Sequence, residues 1–208
     1  MPPPPIAVVH LDESCLGNGQ DRPALGGAAG LIEARAGADL ARREVFISSP
    51  DTTNNRMALS GAIAVLQLLA RKQRRIRTLM VSDSEYLVRG MREWVSGWIA
   101  RGWKRSAGAV ENLELWQALV ASAAEHEVQF TWVRGHRGHP KNEYADYLAV
   151  KAAREQITSA GAVDSGFDTW LEGQRAAGRY LDYDPEAAFV LLERRLAAGE
   201  RFPLDAGA

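Results

Sequence analysis

Apolar residues along the chain alternate between short β-branched runs and longer stretches with helical spacing. Ile6 to Leu11 is a continuous apolar run and predicts a buried first strand ending at Asp12. Leu16-Gly17-Asn18-Gly19-Gln20 has turn chemistry. Gly26 to Ala34 and Arg43 to Ser48 predict two further strands, joined by a hairpin turn at Ala36-Gly37-Ala38-Asp39. Asp51, Thr52 and Thr53 then offer N-cap oxygens. Leu59, Ala62, Ile63, Leu66, Leu69 and Ala70 follow at the spacing of one buried helix face. Ile76 to Val81 predicts a fourth strand, stopped by Ser82-Asp83-Ser84, and Tyr86 to Trp98 and Glu111 to Glu125 predict helices. Val128 to Val133 is the last strand, and a loop rich in Gly and His leads into a helix over about 142–157.

Three leading strands joined by short turns imply an antiparallel meander. The later strands, reached through helices, run parallel to the first. The expected fold class is therefore α/β, a mixed sheet flanked by helices, in which ligands gather at strand ends beside the crossover helices. Residues 1–157 form this domain, and residues 158–208 form a C-terminal extension. Ser159 to Gly166 reads as a linker, and Glu186 to Ala198 as an amphipathic helix. Trp170, Tyr180, Leu181 and Tyr183 make the extension too apolar for a solvating tail, so it packs on the domain or contacts a partner protein.

Composition narrows this picture modestly. Apolar residues make up 46% and charged residues 25%, as in an ordinary globular protein with a core. The net charge of −1 does not by itself advertise nucleic-acid binding. Residues 151–208 carry ten acidic against seven basic side chains, so what basic excess exists lies in the first 150 residues. The single cysteine, Cys15, cannot close an intrachain disulfide. Met1 precedes four prolines rather than a signal-peptide pattern, and no apolar run suits a membrane span. The expectation is a cytoplasmic, monomeric protein with no membrane partner.

The basic run Arg71 to Arg77 is tempting as a nucleic-acid patch, but a solvated helix C-terminus matched to the dipole accounts for it. The aspartates are more informative. Asp12 and Asp83 end strands that should be parallel neighbours, and Asp146 lies on the last helix. Any one of them reads as a cap or turn residue. Placed side by side, two carboxylates repel and one pKa rises unless a cation sits between them. An all-oxygen set of this kind suits Mg²⁺ or Mn²⁺, which also bind phosphate oxygens.

At this point a family resemblance becomes specific. It rests on Asp12-Glu13-Ser14-Cys15-Leu16-Gly17-Asn18, Thr52-Thr53-Asn54-Asn55-Arg56-Met57, Asp83-Ser84, Gly102-Trp103-Lys104, Asn112 and Leu115-Trp116-Gln117. It continues through Trp132-Val133-Arg134-Gly135-His136-Arg137-Gly138-His139-Pro140, Asn142-Glu143 and Asp146. In order and spacing, from about Val8 to Ala153, the chain resembles bacterial type 1 ribonuclease H. The resemblance implies a five-stranded mixed sheet and two-metal hydrolysis of the RNA strand in RNA–DNA hybrids, with two Mg²⁺ ions per site. It implies that Asp12 bridges both metals, that Asp83 holds the one on the leaving-group side, and that Asp146 holds the one activating water. His136 would assist proton transfer or product release. Asn18, Asn54 and Asn55 would meet bases or ribose in the minor groove, and Thr53 and Asn112 a phosphate of the DNA strand. Trp94 would touch the DNA backbone, within a helical handle to which Arg89, Arg92, Arg101, Lys104 and Arg105 give positive charge.

Three positions depart from the family pattern. The catalytic glutamate expected after Asn54-Asn55-Arg56-Met57 is Ala58. Loss of that ligand implies a fall in activity on the order of a hundredfold or more. Glu13 replaces a usual glycine, and Glu85 a groove-reading glutamine. Strand alternation aims residue 13 away from the face of Asp12, so rescue by Glu13 is not expected, whereas Glu85 would reach a cation only through water. The alternative reading is a non-catalytic module that keeps the hybrid contacts without the chemistry.

Overall fold

A computed structural model of the chain describes residues 4–17, 24–105, 108–135 and 138–205. Its central sheet has strand order β7-β4-β1-β2-β3-β8. Strands β1 (Ile6–Leu16), β2 (Leu25–Ala36) and β3 (Asp39–Ser49) form the antiparallel meander. Strands β4 (Arg77–Ser82) and β7 (Glu127–Trp132) lie parallel to β1 on its other side. The two-residue strand β8 (Val163–Asp164) pairs with β3, so the segment read as a linker instead adds a sixth strand to the five expected.

Helix α1 (Asn54–Ala70) begins at Thr53, whose hydroxyl accepts from the Arg56 amide (3.3 Å). Its buried face is Met57, Ala58, Leu59, Gly61, Ala62, Val65, Leu66 and Leu69. Ile63 and Ala70, expected inside, are only partly covered because the face turns toward Val65. Together with Trp116 and Leu119 of α4 (Leu113–Ala124), α1 covers Ala7, Val9 and Leu11 of β1. Between these elements lie the short helices α2 (Glu85–Arg89) and α3 (Val95–Ala100), joined by a π-helical turn over Gly90–Trp94. A two-residue hairpin of β5 (Lys104–Arg105) and β6 (Gly108–Ala109) follows.

The opposite sheet face carries α5 (Pro140–Glu155), which packs on β1 and β2. Here Ala29, Leu31, Tyr144, Leu148 and Ala149 form a core with Phe167 and Leu171 of α6 (Phe167–Ala176). Helix α7 (Pro185–Ala197) covers the rest of that face, where Phe189 and Leu196 meet Val8, Leu79 and Val81. Among the described residues no helix is long and apolar enough to cross a membrane.

Register then decides where the aspartates fall. The β1–β4 ladder ends at Leu11 opposite Ser82, whereas the β1–β2 ladder continues to Leu16 opposite Leu25. Asp12 is therefore not the end of its strand. It sits just where the β4 edge has stopped and one flank of β1 is open.

Helix α5 lies very near the sheet because Gly27 has no side chain. A Cβ at that position would collide with the backbone of Ala149 and Ala153. Gly27→Ala should accordingly lower the unfolding free energy by about 2 kcal/mol, measured by urea denaturation, with no change in the slope of the transition.

Candidate metal centre and nucleic-acid edge

Asp12 is 7% exposed and tied at both carboxylate oxygens. Oδ1 accepts from the Glu13 amide (2.7 Å), and Oδ2 accepts from the Asn142 side-chain amide on the first turn of α5 (2.8 Å). Asp83 follows β4. Its carbonyl accepts from the Trp132 indole (2.9 Å), and its carboxylate lies so near Gly135 that any side chain at 135 would strike it. Asp146 lies one turn after Asn142, near enough for its charge to act on Asp12.

The structure corrects the expected aim of Glu13. One carboxylate oxygen from each of Asp12, Glu13 and Asp83 lies within 4.8 Å of the others. The reason is the open flank of β1. With β4 ended at Ser82, a glutamate can fold round the free edge, where its carboxylate takes a hydrogen bond from Ser84. Glu85, in contrast, pairs with Arg89 (3.3 Å) and is not in the cluster. Ala58 is buried in the apolar core.

The electrostatics follow from crowding without water. Burial, with added repulsion from Asp83, Glu13 and Asp146, pushes Asp12 up to about 9. Burial and Asp83 push Glu13 up to about 8, against the hydrogen bond from Ser84. Beside them the Asn142 Oδ1 is buried without a hydrogen-bond partner among the described residues. Crowded carboxylates with an unsatisfied amide oxygen are hard donors that fit a divalent cation such as Mg²⁺ or Mn²⁺. His10 is also near, two residues before Asp12 on β1. Burial, then the charges of Lys141 and His139, hold its ring well below the usual pKa.

The polar edge expected to meet substrate is assembled from α1, α2 and α4. Thr53, Asn54, Asn55 and Arg56 are all exposed. Asn112 has a left-handed backbone (φ 54°) and caps nothing with its side chain. Its Nδ2 instead donates to the Tyr86 hydroxyl (3.2 Å), and its Oδ1 accepts from Arg56 Nη1 (3.5 Å). The same hydroxyl accepts from the Trp116 indole (3.0 Å), and the Tyr86 ring meets half-buried Trp94 at 6.0 Å. Thr53, Asn112 and Trp94 are thus linked through Arg56 and Tyr86. Trp116 is entirely buried, a core residue.

Most of the handle's expected positive charge is engaged internally. Arg89 pairs with Glu85 and Glu93, and Arg105 with Glu111 (3.2 Å). Arg92, though exposed, donates to the carbonyls of Phe130, Phe202 and Pro203. Arg101 and the exposed Lys104 have no acidic partner among the described residues. Asn18 and His136 lie outside the described residues. Glu13, Asn142 and Trp132 were visible in the sequence motifs, but only the fold shows what each side chain touches. For His10, alternation with Asp12 along β1 was the available signal.

Residues 5–154 match the RNase H family model. Ribonuclease H of Pseudomonas paraeruginosa is 44% identical over 149 residues, covering 71% of this chain and 93% of that protein. Ribonuclease HI of Pseudomonas aeruginosa matches with the same identity and coverage. Among solved structures, LC9-RNase H1, described as a type 1 RNase H with the type 2 active-site motif, superposes with a TM-score of 0.75. It is 50% identical and the match covers 81% of each chain. A foamy viral protease-reverse transcriptase in complex with RNA/DNA hybrid shares the fold at 16% identity, with a TM-score of 0.61 over 72% of this chain and 20% of that one.

The raised carboxyls set a pH dependence. Asp12 and Glu13 ordinarily titrate at 3.8 and 4.5, so between those values and about 8 to 9 the folded protein binds more protons than the unfolded chain. Folded stability therefore falls as pH rises through that window. Without divalent metal, the melting temperature should drop by several degrees from pH 6 to pH 9. Millimolar Mg²⁺ should restore it more at pH 9 than at pH 6, as followed by circular dichroism.

Proposed function

The chain belongs to the RNase H family, and we propose that it hydrolyses the RNA strand of RNA–DNA hybrids at a two-metal centre in which Glu13 takes the place of the glutamate absent at Ala58. The observation that carries this reading is the convergence of Asp12, Glu13 and Asp83 within 4.8 Å. The pattern of three aspartates and one helix glutamate, expected from the resemblance, becomes three aspartates and one strand glutamate. The carboxylate count is kept while the element supplying it changes.

Divalent cations bound there supply positive charge at the scissile phosphate and a more acidic water as nucleophile. The chain's own residues hold that arrangement. Asn142 donates to Asp12 Oδ2 and stops the carboxylate from rotating. Trp132 anchors the Asp83 backbone, and Ser84 directs Glu13. Asp146, whose charge reaches Asp12, would offer the metal centre a fourth carboxylate. His136, four residues after Trp132 in sequence, moves a proton or eases release of product.

Binding is assigned to the exposed edge. Thr53 and Asn112, bridged by Arg56, hold a phosphate of the DNA strand. Asn54 and Asn55 face the 2′-hydroxyls that separate RNA from DNA. The resemblance also assigns Asn18 and Glu85 to the substrate, and Trp94 presents its ring to the DNA backbone. Substrate is therefore an RNA–DNA hybrid held mainly by neutral polar groups.

The test is cleavage of a labelled hybrid with Mg²⁺ by the parent chain, Glu13→Gln and Ala58→Glu. The parent should turn over. Glu13→Gln should lose about a hundredfold or more in kcat, while Ala58→Glu in the Glu13→Gln background recovers part of it. Cleavage by Ala58→Glu with none by the parent would show that Glu13 does not serve. Absence of cleavage from all variants would select the hybrid-binding module. In a separate measurement, Arg101→Ala combined with Lys104→Ala should raise KM several-fold and flatten the dependence of binding on salt by about one to two charges.

A further inference from the structure

Residues 158–208 lie entirely beyond the stretch matched by the family model, which ends at 154. Most of their polar contacts run to the sheet strands, but two reach the first turn of α5, beside the carboxylate centre. Lys141, 2% exposed, donates to the Pro185 carbonyl at the start of α7 (2.9 Å) and pairs with fully buried Glu33 (2.6 Å). Glu33 is also held by Arg42 (3.0 Å), which reaches Asp168 on α6 (2.9 Å). Glu143, two residues after Lys141, accepts from Arg179 of the extension at Oε2 (2.5 Å). Its Oε1 accepts from the Gly138 amide (3.3 Å), in the loop leading into α5.

Asn142, whose amide holds Asp12, lies between these two anchored residues. The N-terminus of α5 makes no side-chain cap bond of its own at His139, so lateral contacts have more to do there. The chain also bends specifically to deliver Arg179. Gly178 (φ 79°) and the non-glycine Tyr180 (φ 56°) both adopt left-handed backbone. Tyr180 stacks on Trp170 (6.3 Å), lies under the Arg179 guanidinium (4.8 Å) and accepts from it through the hydroxyl (2.6 Å).

We propose that the C-terminal extension braces the catalytic end of α5, with Arg179 as the positioning residue that joins it, through Glu143, to Gly138. This rests on the reading of the Asp12 centre as hydrolytic. Arg179 acts through Glu143 and the helix turn, keeping Asn142 aligned on Asp12 while substrate enters and product leaves. Arg179 is half-exposed, so its pair with Glu143 has little global stability to lose and removing it should act locally.

The experiment compares the full-length parent with Arg179→Ala, Arg179→Lys and Arg35→Ala. The last breaks the Arg35–Glu193 pair, which anchors α7 away from the α5 turn. Gly138 amide exchange is read by NMR, and kcat and KM are measured on a labelled hybrid. Arg179→Ala should speed Gly138 exchange about tenfold and lower kcat about fivefold with KM little changed. Arg179→Lys should recover much of both, and Arg35→Ala should alter neither. Unchanged Gly138 exchange in Arg179→Ala overturns the brace whatever the activity, and faster exchange with unchanged kcat overturns its positioning role. A raised KM with altered salt dependence and intact kcat also overturns it, making Arg179 a phosphate contact. If the parent does not cleave but Gly138 exchange still responds to Arg179→Ala, the brace stands and the hydrolytic reading fails.

Discussion

Mutual repulsion among buried carboxylates is the constraint around which this protein is arranged. Asp12, Glu13 and Asp83 crowd into one site, and Asp146 adds its charge from α5. Left alone, such groups would separate or take up protons, as the raised Asp12 and Glu13 carboxyls show. What opposes separation is a set of unremarkable hydrogen bonds from the Glu13 amide, Asn142 and Ser84, together with the Trp132 anchor on the Asp83 backbone. Behind them stand the sheet ladders and the close seat of α5 on Gly27. A site with this much internal repulsion depends on the stiffness of its surroundings.

The same constraint explains how a carboxylate can change its place in the chain. A cation responds to the position of oxygen atoms, whichever element carries them. Because β4 stops at Ser82 while β1 continues along β2 to Leu16, the edge of β1 next to Asp12 is unobstructed. A glutamate there has the reach to turn toward Asp83. Position 58 holds an alanine within the core around α1, where a methyl group packs without desolvating a charge.

Much of this architecture was legible in the sequence because the strong signals are local. The β-branched runs marked β1, β4 and β7, and the Thr53 cap with its apolar spacing marked α1. The errors arose where partner strands decide. Glu13-Ser14-Cys15-Leu16 has no sustained apolar run, yet pairing with β2 keeps it extended. Period-two alternation still sets where the Glu13 Cβ leaves the strand, but with β4 ended at Ser82 its longer side chain can reach round the open edge. Val163 and Asp164 form a strand only because β3 offers an edge, a fact held by residues more than a hundred positions away. The π-helical turn likewise follows from tertiary contact, since Gly90 is pressed against the Trp116 ring.

Charge shows the same limit in another form. Five basic residues in and after the Tyr86–Trp98 region suggest a cationic handle when counted along the chain. In three dimensions Arg89 and Arg105 answer nearby glutamates, and Arg92 ties the C-terminal strap to β7 through three carbonyls. A guanidinium surrounded by carbonyl oxygens contributes to the fold, and its field at a distant phosphate is weakened by those dipoles and by salt. Among the described residues Arg101, Lys104 and Arg56 have no carboxylate partner. On the proposed reading, recognition of a hybrid leans on shape and neutral donors: the Thr53–Asn55 corner, the Asn112 amide and the Trp94 ring. Geometry of that kind discriminates between helical forms of nucleic acid better than a diffuse positive field does, because a field attracts every phosphate backbone alike.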